Sequence, residues 1–243
     1  MDTVARALVT DLRDTLFPGR GGKYGLLPPL LVGLTVITGL VDAFSYLTLG
    51  HVFVANMTGN VVFLAFGLVG VSGFSVVTSL VAIGAFILGA LGGGFFRSRL
   101  SSGLRRQLAV ATGTQLLLLV AGVILSALAG GVIQGGLRYG VVAVLAVAMG
   151  IQNATARGLA VPDLTTTVLT MTITGIAADT HVAGGTGSRA GRRLISIAAM
   201  LGGAVTGAVL ILHGHVTATL LVAVILLAVV ARGTRLAPDG ITS

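Results

Sequence analysis

The sequence predicts an all-α, polytopic transmembrane helix bundle. Three observations lead there. Hydrophobic residues make up 55% of the chain and charged residues 9%, against about 25% charged in a typical soluble domain. The mean hydropathy is +1.04. The apolar residues are also gathered into runs long enough to cross a bilayer as helices, about 20 residues each. A surface this poor in charge requires lipid as its solvent.

The chain opens on residues 1–27, an N-terminal tail in which Val4, Leu8, Leu12 and Leu16 recur every four residues, with Arg6 and Arg13 off that stripe. This pattern predicts a short amphipathic helix on the cytoplasmic membrane surface, ended by Pro18-Gly19. Asp2, Asp11 and Asp14 interrupt it, which excludes the apolar core of a signal peptide. The first spanning run extends from Pro28 to Leu49, its prolines suited to a helical first turn. The second covers about 53–71 and carries Asn56, Thr58 and Asn60. The third covers about 75–96 and the fourth about 108–130, separated by Arg97, Arg99, Arg105 and Arg106. After a glycine break the fifth covers about 139–156. The sixth, about 164–181 with Asp163 as an N-cap, is rich in threonine. The seventh and eighth cover about 194–212 and 215–231, parted at His213-Gly214-His215.

The expected count is therefore about eight segments, or six to seven if the polar-fronted second and sixth are re-entrant or broken helices buried in protein. With eight, both termini share one side. The arginine bias places them in the cytoplasm, although the four-arginine loop at 97–106 opposes that orientation.

The two halves repeat one another. Gly39, Asp42 and Ala43 align with Gly150, Asn153 and Ala154. Thr58 aligns with Thr170, and Ala85, Gly89, Ala90 and Gly93 align with Ala199, Gly203, Ala204 and Gly207. This organises the chain as a first repeat over 28–131, a second over 138–231, and a C-terminal tail over 232–243. An even number of spans per half predicts repeats pointing the same way. An odd number predicts inverted ones.

Asp42 is the acidic residue well inside an apolar run, where a charge costs at least about 2.5 kcal/mol. It reads either as an ion, proton or substrate contact or as a lock between helices. Gln152 and Asn153 hold the matching place in the second half. Equivalent depths would let Asp42 and Asn153 face each other across a central cavity. Asn56, Thr58 and Asn60, with Thr167 and Thr170 opposite, are candidate pathway residues. Gly89-x-x-x-Gly93 and Gly203-x-x-x-Gly207 are read as helix-packing motifs, since small residues let helix axes approach.

Other chemistries lack support. Cysteine is absent, no nucleophile–base–acid set appears, and the scattered histidines have no carboxylate cluster with which to hold a metal. Gly185 to Ala190 matches a dinucleotide fingerprint without the strand that fingerprint needs. The net charge of +8 has no soluble domain on which to present a nucleic-acid face. The expected partner is the bilayer, with a small solute or ion as substrate, and neither a catalytic residue nor a cofactor is expected. The spacing patterns are compatible with an oligomer.

The runs "Gly39-Leu-Val-Asp42-Ala43", "Val52-Phe53-Val54-Ala55-Asn56-Met57-Thr58-Gly59-Asn60" and "Gly150-Ile-Gln152-Asn153-Ala154" with its following threonines resemble the signatures of the DUF1275 (YoaK-like) family of bacterial membrane proteins. The resemblance covers about 28–230. It implies a bacterial inner-membrane protein with six or seven spans and supplies no substrate. Together these readings favour a small secondary transporter, proton-coupled through Asp42. The alternative is a non-transporting scaffold, sensor or assembly subunit.

Overall fold

The computed structural model of the chain describes residues 2–18, 24–99, 104–130, 132–159, 161, 164, 169–178 and 190–236. Among these, nine helices form and no strand does: α1 (Asp2–Leu16), α2 (Leu27–Thr48), α3 (Met57–Leu68), α4 (Val76–Arg99), α5 (Leu104–Leu128), α6 (Gly135–Leu159), α7 (Leu169–Ala178), α8 (Ala190–Leu212) and α9 (Val216–Leu236). Six of them, α2, α4, α5, α6, α8 and α9, are long and apolar enough to cross a membrane.

The second and sixth expected segments differ from the full spans of an eight-segment bundle. α3 has 12 residues and α7 has 10. At 1.5 Å per residue, 12 residues reach about 18 Å, well short of a hydrocarbon core of about 30 Å. The cause is visible in the sequence between α2 and α3: Gly50 and His51 both take positive φ, 86° and 55°, and residues 49–56 contain no helical turn before Met57. The expected N-cap Asp163, the front of the threonine run, the Gly185–Arg189 loop and His181 lie outside the described residues.

The N-terminal amphipathic helix forms as its four-residue period predicts. It docks on the start of α8, where the Asp11 carboxylate accepts the Arg192 backbone N–H at 3.0 Å. That N–H is one of the orphan donors of a helix N-terminus, so α1 supplies a cap from a distant part of the chain. Val9 and Phe17 stay exposed.

α2 and α6 are the central helices, with 61% and 56% of their apolar windows buried against 22–33% for the other four. Each is gripped by a partner from the other half of the chain. A Cβ on Gly39 would overlap the Met200 carbonyl of α8, and one on Gly203 would overlap the Val36 carbonyl of α2. Gly207 faces Ala43 and the Leu40 carbonyl, at 3.1 and 3.2 Å from its Cβ position. The α4–α6 pair repeats this pattern: Gly150 against Phe86 and Ala90, Gly89 against Val147, Gly93 against Ala154 and Ile151. In both crossings the residue numbers rise together, so α2 runs parallel to α8 and α4 parallel to α6. These glycines bring backbone onto backbone, the geometry that favours close helix packing in lipid.

α5 and α9 close the bundle and run antiparallel. Ser126 Oγ meets Thr217 Oγ1 at 3.1 Å, while Gly122, one turn earlier on α5, faces Leu220, three residues later on α9.

Substituting Gly39 or Gly150 by leucine should destabilise the protein strongly, because even a Cβ overlaps backbone that cannot move aside; overpacking alone costs about 1–3 kcal/mol. Gly84→Ala, whose Cβ would meet open space, should be neutral or stabilising by up to about 1 kcal/mol. Thermal melts of the detergent-purified variants check both. Equal melting temperatures for Gly39→Leu and wild type would refute the packing assignment.

Candidate functional site

Asp42 lies on α2, six residues before its last, with 3% of its surface exposed. It does not meet Asn153. Its Oδ1 accepts the backbone N–H of Val54 at 3.0 Å and of Ala55 at 2.9 Å, and its Oδ2 accepts the side-chain amide of Asn56. The carboxylate thus holds the non-helical segment that leads into α3. Val52, Val54 and Ala55 are buried, so those two N–H groups have no water to turn to. An unmet buried donor costs about 1–3 kcal/mol, and a charged acceptor is the strongest answer to it.

Asn60, in the first turn of α3, completes the clamp. Its Oδ1 accepts the Phe53 N–H at 2.9 Å and its Nδ2 donates to the Phe53 carbonyl at 2.6 Å. One side-chain amide therefore pairs both backbone groups of Phe53, as a neighbouring strand would. Around this joint an aromatic cluster forms. Tyr46 stacks on Phe53 at 5.1 Å, Phe53 packs on Phe63 at 5.5 Å, and Phe63 packs on Phe74 at 5.2 Å. The His51 ring is bonded through Nδ1 to the Gly73 carbonyl at 3.1 Å. Residues 51 and 73 therefore lie together, and the segment from α2 to α4 leaves and returns at one level. Thr58 is exposed and stands off this network.

A second polar centre joins three spans. Gln152 Nε2 donates to Thr38 Oγ1 at 2.8 Å and to the Leu34 carbonyl at 3.3 Å, both on α2. Its Oε1 accepts the Gln115 amide of α5 at 2.6 Å. All three side chains are at most 2% exposed. Thr38 and Gln115 sit near the middle of α2 and α5. Sequence reasoning singled out Gln152 and passed over its partners. Gln115 did carry a signal: it is the single amide in the apolar run 108–130. Thr38 carried none, since a helical threonine satisfies itself, here by donating to the Leu34 carbonyl at 3.0 Å.

Asn153 is half-buried and donates to the Met149 carbonyl one turn back on α6. Thr170 is exposed on α7, and Thr172 is the buried threonine of that helix. Thr167 lies outside the described residues. The described members of the site thus form two separate centres, Asp42–Asn56–Asn60 and Gln115–Gln152–Thr38, on faces of α2 one turn apart, and not a single cavity between Asp42 and Asn153.

Asp42→Ala should leave the Val54 and Ala55 N–H groups unmet, at about 1–3 kcal/mol each. Because the chain has no cysteine, Ala55→Cys provides a clean reporter. Its reaction with a maleimide should be slow in the Ala55→Cys protein and much faster once Asp42→Ala is added. Equal rates would show that the carboxylate does not hold the segment.

Comparison with known proteins places the chain in a family. Residues 30–232 match the family model described as "Protein of unknown function (DUF1275)". The chain is also similar to the UPF0700 transmembrane protein YoaK of Bacillus subtilis (strain 168), 30% identical over 151 residues, which is 62% of this chain. The matched stretch spans 65% of that relative, just under two thirds of its length. No solved structure matches the chain. With the family model covering all six long apolar helices almost end to end, the chain belongs to the DUF1275 family of multi-pass membrane proteins.

Proposed function

We propose that the protein is a secondary transporter for a small solute or ion, built from two inverted-topology repeats. The observation that carries this reading is a non-helical segment before α3 bound to a buried carboxylate, with a buried amide chain one turn back on α2. Broken helices and polar side chains near the midplane, at the junction of two repeats, are the build of secondary transporters.

The repeat rests on paired contacts. Gly39, Gly89 and Gly93 each have a counterpart, Gly150, Gly203 and Gly207, that meets the counterpart partner residues. Counting α3 and α7 as re-entrant leaves three spans per half, α2, α4 and α5 against α6, α8 and α9. The symmetry expected from eight spans then reverses, from parallel to inverted. The antiparallel α5–α9 crossing supports the inversion, since these equivalent helices run in opposite directions. Asp42 and Asn153 then lie toward opposite membrane faces, which accounts for their not meeting.

The same count supports one orientation. With six spans, Arg6, Arg13, Arg97, Arg99, Arg105, Arg106, Arg157, Arg192, Arg193, Arg232 and Arg235 fall on one side and Arg138 on the other. The loop at 97–106 joins the majority instead of opposing it. The positive-inside rule puts that side, with both termini, in the cytoplasm of a bacterial inner membrane.

In this reading Asp42 acts through its grip. Binding of a proton or cation at the carboxylate weakens its acceptance of the Val54 and Ala55 N–H groups and frees the segment before α3. Substrate polar groups then replace the amides of Asn56, Asn60, Gln115 and Gln152. No bond-breaking chemistry is assigned. The competing reading, a non-transporting scaffold, draws on one observation: the amides of Gln115, Gln152 and Asn60 already satisfy one another and nearby backbone, as helix-packing groups do.

Two measurements test the proposal. Single cysteines at Gly70 and Gly214 should react with an impermeant reagent from the same face of the membrane, and Ser98→Cys from the other; eight full spans would put positions 70 and 214 on opposite faces. In liposomes, solute flux under a proton or sodium gradient should appear with wild type and fall at least tenfold with Asp42→Asn and with Gln115→Leu in folded protein. Absence of flux across a broad solute panel would favour the scaffold.

A further inference from the structure

At the cytoplasmic ends of α4, α5 and α6 the chain carries Arg97, Arg99, Arg106 and Arg157, all exposed. From Ala43 to Pro162 the sequence contains no Asp or Glu. Asp163, six residues after Arg157, is the next carboxylate in the chain. Arg97, Arg99 and Arg157 have no carboxylate partner among the described residues. Positive charge gathered next to the bilayer calls for an anion from outside the chain.

A cleft opens in the middle of this patch, lined by Phe96, Arg97, Gln107, Leu108, Thr155 and Leu159 among others. Its enclosed part, about 10 Å³, has room for about one water-sized group. That is too small for a solute passage and enough for one oxygen of an anion seated at the mouth. The lining divides in two. On the polar side stand Arg97, Gln107, which donates to the Arg97 carbonyl at 3.5 Å, and Thr155, which donates to the Ile151 carbonyl at 2.8 Å, while Phe96, Leu108 and Leu159 form an apolar wall. Arg97 lies close over Gly158: a Cβ there would come within 2.8 Å of its Nη1. Just outside, Arg99 lies over the ring of Phe95 at 5.1 Å, and Phe95 is 55% exposed. An aromatic ring under a guanidinium at a helix end marks the level of the headgroups.

We infer that this cleft is a binding site for the phosphate of an anionic phospholipid in the cytoplasmic leaflet. Guanidinium groups match phosphate oxygens in geometry and charge. The apolar wall suits the glycerol and first acyl carbons, which a soluble phosphate lacks. Basic pockets between transmembrane helices on the cytoplasmic side take lipid headgroups in this way. The inference does not depend on whether the protein carries a solute.

The test uses the full-length protein in mixed micelles with spin-labelled phosphatidic acid and spin-labelled phosphatidylcholine. Wild type should hold phosphatidic acid several-fold more than phosphatidylcholine. Arg97→Gln with Arg157→Gln should reduce that preference by roughly fivefold per arginine. Arg138→Gln, at the opposite end of the bundle, should leave it unchanged. Gly158→Ala keeps every charge yet displaces Arg97, and should also weaken the preference. No preference in wild type would overturn the proposal. So would a preference that survives both the double substitution and Gly158→Ala, because the lipid would then bind elsewhere. Displacement of phosphatidic acid by inorganic phosphate at equal concentration would assign the site to a free anion and overturn the choice of lipid.

Discussion

Backbone N–H groups in an apolar layer must be met within the protein. Here that requirement falls on one carboxylate. The chain leaves helical geometry after α2, and the segment before α3 returns to the level of Asp42 with its own amides unpaired. Asp42 takes the N–H groups of Val54 and Ala55 and the amide of Asn56. Asn60 takes both polar groups of Phe53. Those acceptors meet the amides of residues 53–55 where no helix does. The short α3, the aromatic cluster over it and the return to α4 all follow from that anchorage.

The same solvent explains how the long helices hold together. Lipid gives apolar side chains no reason to prefer one another, so close contact must come from small residues and hydrogen bonds. The α2–α8 and α4–α6 crossings use glycine for both backbones, and elsewhere buried leucines such as Leu119, Leu145 and Leu220 pack beside polar pairs such as Ser126 with Thr217. Because each central helix is gripped by helices from the other half, neither half forms a core alone. α5 and α9 join the halves as well, through Ser126 with Thr217, and the Gln115–Gln152–Thr38 chain adds a further link.

The fold was legible in the sequence at the level of segments. Apolar runs placed all six long helices, the four-residue stripe placed α1, and the glycine motifs named the residues at the crossings. Polar fronts on the second and sixth runs marked the places where helices are short, although length alone suggested full spans there. The site was legible in part. Asp42, Asn56, Asn60 and Gln152 stood out because amides and carboxylates are costly in an apolar run. Gln115 was passed over, although it is the single amide of the run 108–130. Thr58 and Thr170 are exposed and join neither polar centre. A threonine in lipid satisfies itself on its own helix, so its presence says little about where it points.

By itself the sequence determined the solvent, the helical class, the membrane-crossing segments and the residue types able to bear a buried polar role. Those are properties of composition and short period, and each is written within 20 or so residues. Tertiary structure alone decided which of those residues meet. Asp42 reaches 12 to 14 residues along the chain, Gln115 reaches 37 to Gln152, and Gln152 reaches 114 back to Thr38. It also decided that α2 lies parallel to α8 and that α5 opposes α9. A hydrogen bond depends on direction and on a distance of about 3 Å. No local pattern fixes either one between helices that the chain brings together only after crossing the bundle.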